Sequence, residues 1–320
     1  MPETAQAAAE RPPSTGGPDG LTVAAFVAVA VLGGGNAVAI KVGFAELAPF
    51  WAAAIRFLAA AAILVVVIAA TRMALPAGRA LAGVILYGIL AFGLSYLFIY
   101  WALQEVSAGT TMVILATLPL LTFILAIAQR VEKFRVRGLV GAVIAAIGIV
   151  FIFWNEIALA SPAALAAVFA GAVCLAQAPV TVKRFPRVDP VVESALGMAV
   201  GGLMLLAVSL LAGEPRAIPA GLPTQLSLVY LILGGSIGLF VLYLFMLSRW
   251  TASGSSYVML IMPLVTIALA ALILDETVTW IFVLGGIAVL AGVYIGAFGK
   301  HREEKPEALS EEAAAGSPSR

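Results

Sequence analysis

Charge, cysteine and histidine are what this chain has least of. Of its 320 residues 11% are Asp, Glu, Lys or Arg, and it holds one Cys (Cys174) and one His (His301). A soluble domain carries about 25% charged and 45–50% apolar residues. Here the apolar share is 62% and the mean hydropathy is +1.09, more oil than a water-soluble enzyme of this length can hide. One cysteine excludes an internal disulfide framework, and one Cys with one His leaves too few ligands for zinc or iron sites, so no cofactor is expected. His301 falls in the polar C-terminal stretch, away from any histidine proton relay. A net charge of +1 is no footprint for nucleic acid. Residues 1–20 carry Glu3, Glu10, Asp19 and only Arg11, which lacks the basic start of a secretory signal and reads as a disordered tail.

What is present is a series of apolar runs, cut by short polar or Pro/Gly clusters. Ten are read, at about 21–43, 48–70, 80–103, 108–128, 136–154, 161–181, 190–212, 226–248, 254–273 and 277–298. Each is near the roughly 20 residues that a helix needs to cross a bilayer, and transmembrane strands would be about half that. The expected fold is therefore an all-α integral membrane protein of ten transmembrane helices. Lys and Arg set its orientation. With the N-terminus in the cytoplasm, the inner loops and tails hold fifteen of the eighteen Lys and Arg, the outer ones hold Lys41 and Arg216, and Arg56 lies within a span. Both termini are then cytoplasmic, and a bacterial inner (plasma) membrane is the natural home. Trp51, Trp101, Trp154 and Trp280 at outer ends and Trp250 at an inner end are expected to anchor at the headgroups.

The chain repeats itself. Shifted by 144, the halves align without a gap from 103 to 154, pairing Pro119 with Pro263, Glu132 with Glu276, Gly141 with Gly285 and Gly148 with Gly292. Five spans per half make the second copy enter the membrane from the opposite side, and two such inverted five-helix repeats around a central cavity characterise secondary transporters. The units are placed at 21–156 and 157–299, with a second disordered tail at 300–320.

These residues resemble the drug/metabolite transporter (DMT) superfamily in its ten-span EamA-type form. Gly34-Gly35-Asn36 with Lys41 resembles its first-helix pattern, and Pro49 with Arg56 its second-helix opening. Leu118-Pro119-Leu120, Glu132, Gly141 and Gly148 resemble its fourth and fifth helices, repeated as Met262-Pro263-Leu264, Glu276, Gly285 and Gly292. The Trp common before the first-helix glycines is replaced by Leu32-Gly33. Within the superfamily the chain is most similar to the YddG-type aromatic amino acid exporters. The resemblance implies a basket in which helices 1, 3, 4, 6, 8 and 9 line the cavity while 5 and 10 lie outside, and it implies export of small metabolites.

Polar residues in apolar helices carry the site expectations. Asn36 and Gln177 need partners in hydrocarbon and serve either substrate or an interhelical bond. Lys41 snorkels to the headgroups or faces the path. Arg56, about 10 Å inside the outer surface at 1.5 Å per residue, braces loop carbonyls or Glu46, or meets a substrate carboxylate. Glu193, one turn into its helix, is expected to snorkel. Pro119, Pro179 and Pro263 interrupt helices as gates or static bends. Tyr96 and Tyr100 share a helix face, and with Trp101, Tyr243 and Tyr257 they are candidate cavity walls or plain packing. Thr117 and Ser256 add hydroxyls, which like those of Ser95 and Ser236 mostly close onto their own helix.

With no Asp or Glu expected mid-bilayer, transport is read as alternating access without a carboxylate proton relay. Few buried cations disfavour phosphorylated cargo, so the expected substrate is a small amino acid with an aromatic or hydrophobic side chain. A broad drug exporter on the same scaffold and, remotely, a membrane-embedded lipid-modifying enzyme are the alternatives. The partners are the bilayer and the small molecule, without nucleic acid, and nothing in the sequence requires more than a monomer.

Overall fold

The computed structural model describes residues 18–105, 111, 114–152, 161–274 and 280–298. The tails and Glu276, Trp154 and His301 lie outside these. Ten helical segments follow one another: α1 (Gly20–Gly43), α2 (Pro49–Thr71), α3 (Gly78–Ala102), α4 (Leu118–Ala128) and α5 (Val136–Ile152), then α6 (Pro162–Arg184), α7 (Pro190–Leu211), α8 (Leu222–Arg249), α9 (Val258–Leu274) and α10 (Trp280–Val293). A short helix, Ala252–Ser256, leads into α9. No strand occurs among the described residues. Within them α1, α2, α3, α6, α7 and α8 are long and apolar enough to cross a membrane, and the other four are shorter apolar helices. Starts follow local chemistry: Asp19 accepts from the Thr22 N–H (2.9 Å), Asp189 from Val191 (2.8 Å), and proline opens α2, α6 and α7, where its missing N–H costs nothing.

The two halves exchange places under a pseudo-two-fold axis. Helix α2 packs on α7 and α5 on α10, while α1 packs on α8 and α9 as α6 packs on α3 and α4. The α5–α10 seam fixes the sense. A Cβ at Gly148 would meet the Gly285 carbonyl at 2.8 Å, and one at Gly292 would meet the Gly141 carbonyl at 2.6 Å. Gly285 is the repeat mate of Gly141, and Gly292 that of Gly148. Each mate touching the other's partner is the signature of a two-fold between antiparallel helices. The repeat extends upstream of 103 through the backbone: α3 and α8 each widen into a π-turn, at Ile89–Leu94 and Leu233–Gly238, again 144 apart. Aligned on their first prolines, α2 and α7 also bury equivalent positions, Ala53/Ser194, Ala54/Ala195, Phe57/Met198, Ala60/Gly201 and Leu64/Leu205 among them.

We call the face bearing the start of α1 proximal and the opposite face, with the α1–α2 and α7–α8 loops, distal. Trp101 and Trp280 are exposed there (40% and 67%). Trp250 departs from the anchoring expectation. It is buried against Phe26 and Phe298, at ring-centroid distances of 6.1 and 5.3 Å, because the turn before α9 folds it under the ends of α1 and α10.

Candidate functional site

Four rings from three helices meet in the middle of the bundle. Phe57 of α2 packs edge-on against Phe92 (5.0 Å) and Tyr96 (4.8 Å) of α3, and Phe92 against Phe240 of α8 (4.5 Å). On the proximal side lies a small chamber walled by residues of α3, α4, α6, α8 and the start of α9, including Tyr87, Thr122, Pro179, Phe240, Tyr243 and Ser256. On the distal side a second is walled by Phe44, Arg56, Tyr100 and Ser227 with residues of α1, α2, α3 and α8. The rings form a septum between two half-chambers. Helices α5 and α10 contribute no wall to either.

Arg56 sits on the distal side of the septum. It is 1% exposed, and its guanidinium lies over the rings of Phe57 (4.6 Å) and Tyr96 (5.5 Å). Nε donates to Ser236 Oγ (3.2 Å), Nη2 to the Gly235 carbonyl (3.3 Å) and Nη1 to the Tyr100 hydroxyl (3.5 Å). All three acceptors are neutral, and among the described residues no carboxylate pairs with it. The π-turn of α8 makes this seat, since a wide turn takes a carbonyl out of the ordinary ladder. The same Gly235 oxygen also accepts from Asn36 Nδ2 (3.2 Å), and Asn36 Oδ1 is left buried without a donor. A side chain at 235 would displace the Asn36 amide from this carbonyl. Arg56 therefore braces a helix carbonyl, not the loop or Glu46, and Ser236 serves Arg56 instead of its own backbone. Ser95, Thr117 and Ser256 do close onto their own helices, donating to Ala91, Ile114 and Ser253 carbonyls.

The remaining sequence candidates divide. Tyr243, Ser256 and Pro179 wall the proximal chamber, Arg56 and Tyr100 the distal one, and Tyr96 belongs to the septum. Pro179 and Pro263 leave the carbonyls four residues back, Leu175 and Met259, without their helical partner, and both those residues wall the proximal chamber. Pro119 opens α4 at its second residue and is no mid-helix break in the described part. Gln177 pairs with Gln129 at the end of α4 (2.6 Å) and with Thr181 (3.3 Å), a tie between helices. The Tyr257 hydroxyl donates to the Gly138 carbonyl of α5 (2.6 Å), and Trp101 walls neither chamber. The side chain of Lys41 lies outside the described residues. Glu193 does not snorkel: it is 6% exposed.

The profile of the EamA-like transporter family matches this chain twice, over residues 20–154 and 162–297. The chain belongs to the EamA-like transporter family. Its sequence is 25% identical over 281 residues to the uncharacterized transporter YoaV of Bacillus subtilis, covering 85% of this chain and 95% of that protein. It is 26% identical over 275 residues to the uncharacterized inner membrane transporter YedA of Escherichia coli K12, covering 85% and 89%. A crystal structure of another protein superposes with a TM-score of 0.74 over 87% of this chain and 96% of its own, at 18% identity, which establishes a shared fold.

In this EamA-like transporter both faces are tied across the halves. Distally, Glu46 of the α1–α2 loop accepts from the N–H groups of Ala220 (2.7 Å) and Gly221 (3.2 Å) and from the Thr224 hydroxyl (2.7 Å), while Glu214 of the α7–α8 loop accepts from Phe50 (3.1 Å) and Trp51 (2.8 Å). Trp51 Nε1 donates to the Ala217 carbonyl (2.8 Å). Each carboxylate thus serves the start of a helix from the other half. The Thr224 hydroxyl foremost, then the two N–H groups, hold the Glu46 carboxyl below its ordinary pKa. Proximally, Glu132 accepts from the Ser253 N–H (3.0 Å) and hydroxyl and pairs with Arg135 (3.3 Å), and Arg249 pairs with Asp19 (2.7 Å). Phe57, Phe92 and Phe240 were not legible as site residues, because nothing in sequence distinguishes them among the chain's 16 phenylalanines.

Proposed function

We propose that this transporter exports small amino acids with aromatic or hydrophobic side chains from the bacterial cytoplasm by alternating access. The membrane is the inner one, the proximal face is cytoplasmic and both termini lie inside. The fifteen-to-two bias of Lys and Arg supports that orientation, and the inner-membrane location of YedA supports the membrane. Two five-helix units, 21–156 and 157–299, rock against each other and open the proximal and distal chambers in turn, with the aromatic septum as the barrier between them.

The observation that carries the cargo reading is the pair of uncompensated groups, Arg56 and Asn36, that meet on the Gly235 carbonyl. Arg56 is a buried cation whose acceptors are all neutral, in surroundings where an uncompensated charge is costly. A substrate carboxylate supplies the missing charge. Beside it, Asn36 Oδ1 is an acceptor without a donor, and an α-ammonium group supplies one. The rings of Phe57, Tyr96, Tyr100 and Phe240 suit an apolar side chain. The test is flux into proteoliposomes of the purified protein with labelled phenylalanine, leucine, aspartate, lysine and a lipophilic cation. Phenylalanine and leucine are expected to move fastest. Preferential movement of the lipophilic cation replaces this reading with broad drug export.

A further inference from the structure

Thr266 of α9 donates its hydroxyl to the Gly34 carbonyl of α1 (2.8 Å) and shares it with the Met262 carbonyl of its own helix (3.0 Å). The first of these bonds ties the second half of the molecule to the first, two residues before Asn36. In the 144 register the mate of Thr266 is Thr122 of α4. Thr122 is 0% exposed, and among the described residues its hydroxyl has no partner. It does not reach even the carbonyl four residues back, the one on its own helix that Thr266 uses. A sealed hydroxyl without a partner costs free energy and calls for a physical reason.

The mate of Gly34 supplies that reason. Helix α1 ends at Gly43 and α2 opens at Pro49, while α6 ends at Arg184 and α7 opens at Pro190. The first helices of the two halves are thus offset by 141, as the second helices are, and Leu175 is the mate of Gly34. The Leu175 carbonyl has lost its helical partner to Pro179. Thr122 and Leu175 wall the same proximal chamber, on helices that pack together. An unmet donor and an unmet acceptor therefore stand where the other half of the molecule has a hydrogen bond. The difference also has a side. At 1.5 Å per residue, Gly34 lies roughly 20 Å along α1 from its proximal start, and Leu175 roughly 20 Å along α6 from its distal start. The bond that is made belongs to the distal half of the bundle and the one that is not to the proximal half.

We propose that Thr266 and Thr122 are reciprocal latches of the transport cycle. While Thr266 holds the Gly34 carbonyl, the distal half is shut. When the halves rock, that bond parts, and Thr122 closes on the Leu175 carbonyl to shut the proximal half. Each latch takes up the arrangement its mate gives up, which is how inverted repeats exchange conformations. Neither step strands a hydroxyl on the moving side: Thr266 keeps the Met262 carbonyl when Gly34 leaves, and Thr122 gains a carbonyl that Pro179 has left without an amide. This rests on the alternating-access reading above but not on the identity of the cargo.

Hydrogen exchange of the full chain in lipid, with no cargo present, tests the latches. The Ala220 and Gly221 amides, held by Glu46, report distal opening, and the Ser253 amide, held by Glu132, reports proximal opening. Thr266→Val weakens the distal-shut state and is expected to speed exchange at the distal amides roughly two- to tenfold, the share of one net hydrogen bond. Thr122→Val weakens the distal-open state and is expected to slow the same amides by a similar factor, while Ser253 exchanges as in the wild type. The double variant should return the distal rate to near the wild-type value, and Thr122→Ser and Thr266→Ser, which keep the hydroxyl, should leave it unchanged. Should Thr266→Val fail to fold, the Thr122→Val rates decide alone. If Thr122→Val slows the distal and Ser253 amides together, only a buried hydroxyl has been relieved, and the proposal is overturned. Unchanged or faster distal exchange in Thr122→Val overturns it too, and leaves alternating access standing. Distal amides that open in the wild type only when the whole core unfolds overturn alternating access itself, and the latches with it.

Discussion

The two halves of this transporter share a scaffold but not a site. Aligned on Pro49 and Pro190, Arg56 of α2 corresponds to Gly197 of α7, and in the register of α3 and α8, Ser236 corresponds to Phe92. Arg56 meets Ser236 at one of the two equivalent crossings between the halves, and a Cβ at Gly197 would meet the Phe92 ring at 3.2 Å at the other. The same meeting point of a helix and a π-turn is a charged seat on one side and a ring packed on glycine on the other. A single substitution pair is enough to make the chemistry one-sided. The glycine seam of α5 and α10, by contrast, is symmetric and walls no chamber, so its task is to hold the halves together.

That contrast can be broken at the seam first. Gly141→Leu drives a side chain into the backbone of α10 and should cost more than about 2 kcal/mol as overpacking does. Size-exclusion profiles and thermal unfolding of the purified variant should show loss of the folded protein. Gly286→Ala, with its nearest neighbour at 3.7 Å, should leave both unchanged. At the seat, Ser236→Ala removes the acceptor of Arg56 Nε. A hydrogen bond to a charged group is worth about 1.5–3 kcal/mol, so KM for labelled phenylalanine should rise at least roughly tenfold with the fold intact.

The smallest effect is expected at the distal clasp. The Glu46 carboxyl has its pKa lowered in the folded protein. Its contribution is therefore fully present above the ordinary carboxylate value and is lost as pH falls through the lowered one. Hydrogen exchange at the Ala220 and Gly221 amides should stay slow at neutral pH and quicken only in acid, whereas Glu46→Gln should speed it at neutral pH.

Much of this architecture was legible in the residues. The ten apolar runs, the register of Gly141 and Gly148 with their mates, and Arg56 as the costly residue could all be read, because each departs from what lipid-facing sequence requires. The repeat before residue 103 was not, since π-turns leave no side-chain signature and the second helices sit three residues out of the 144 register. Glu193 was misjudged because sequence gives depth along a helix but not direction around it. One turn from an end, a carboxyl facing water and one facing α3 read alike. Trp250 failed for the same reason.

The central claim is that Arg56 receives a carboxylate. Competition against labelled phenylalanine uptake, with unlabelled phenylalanine and with phenethylamine, which lacks the carboxylate, tests it most directly in wild type and Arg56→Gln. The account predicts that the wild type favours phenylalanine over phenethylamine by a hundredfold or more, on the order of what buried polar recognition supplies, and that Arg56→Gln reduces this to a few-fold. Equal inhibition of the wild type by both compounds would contradict it.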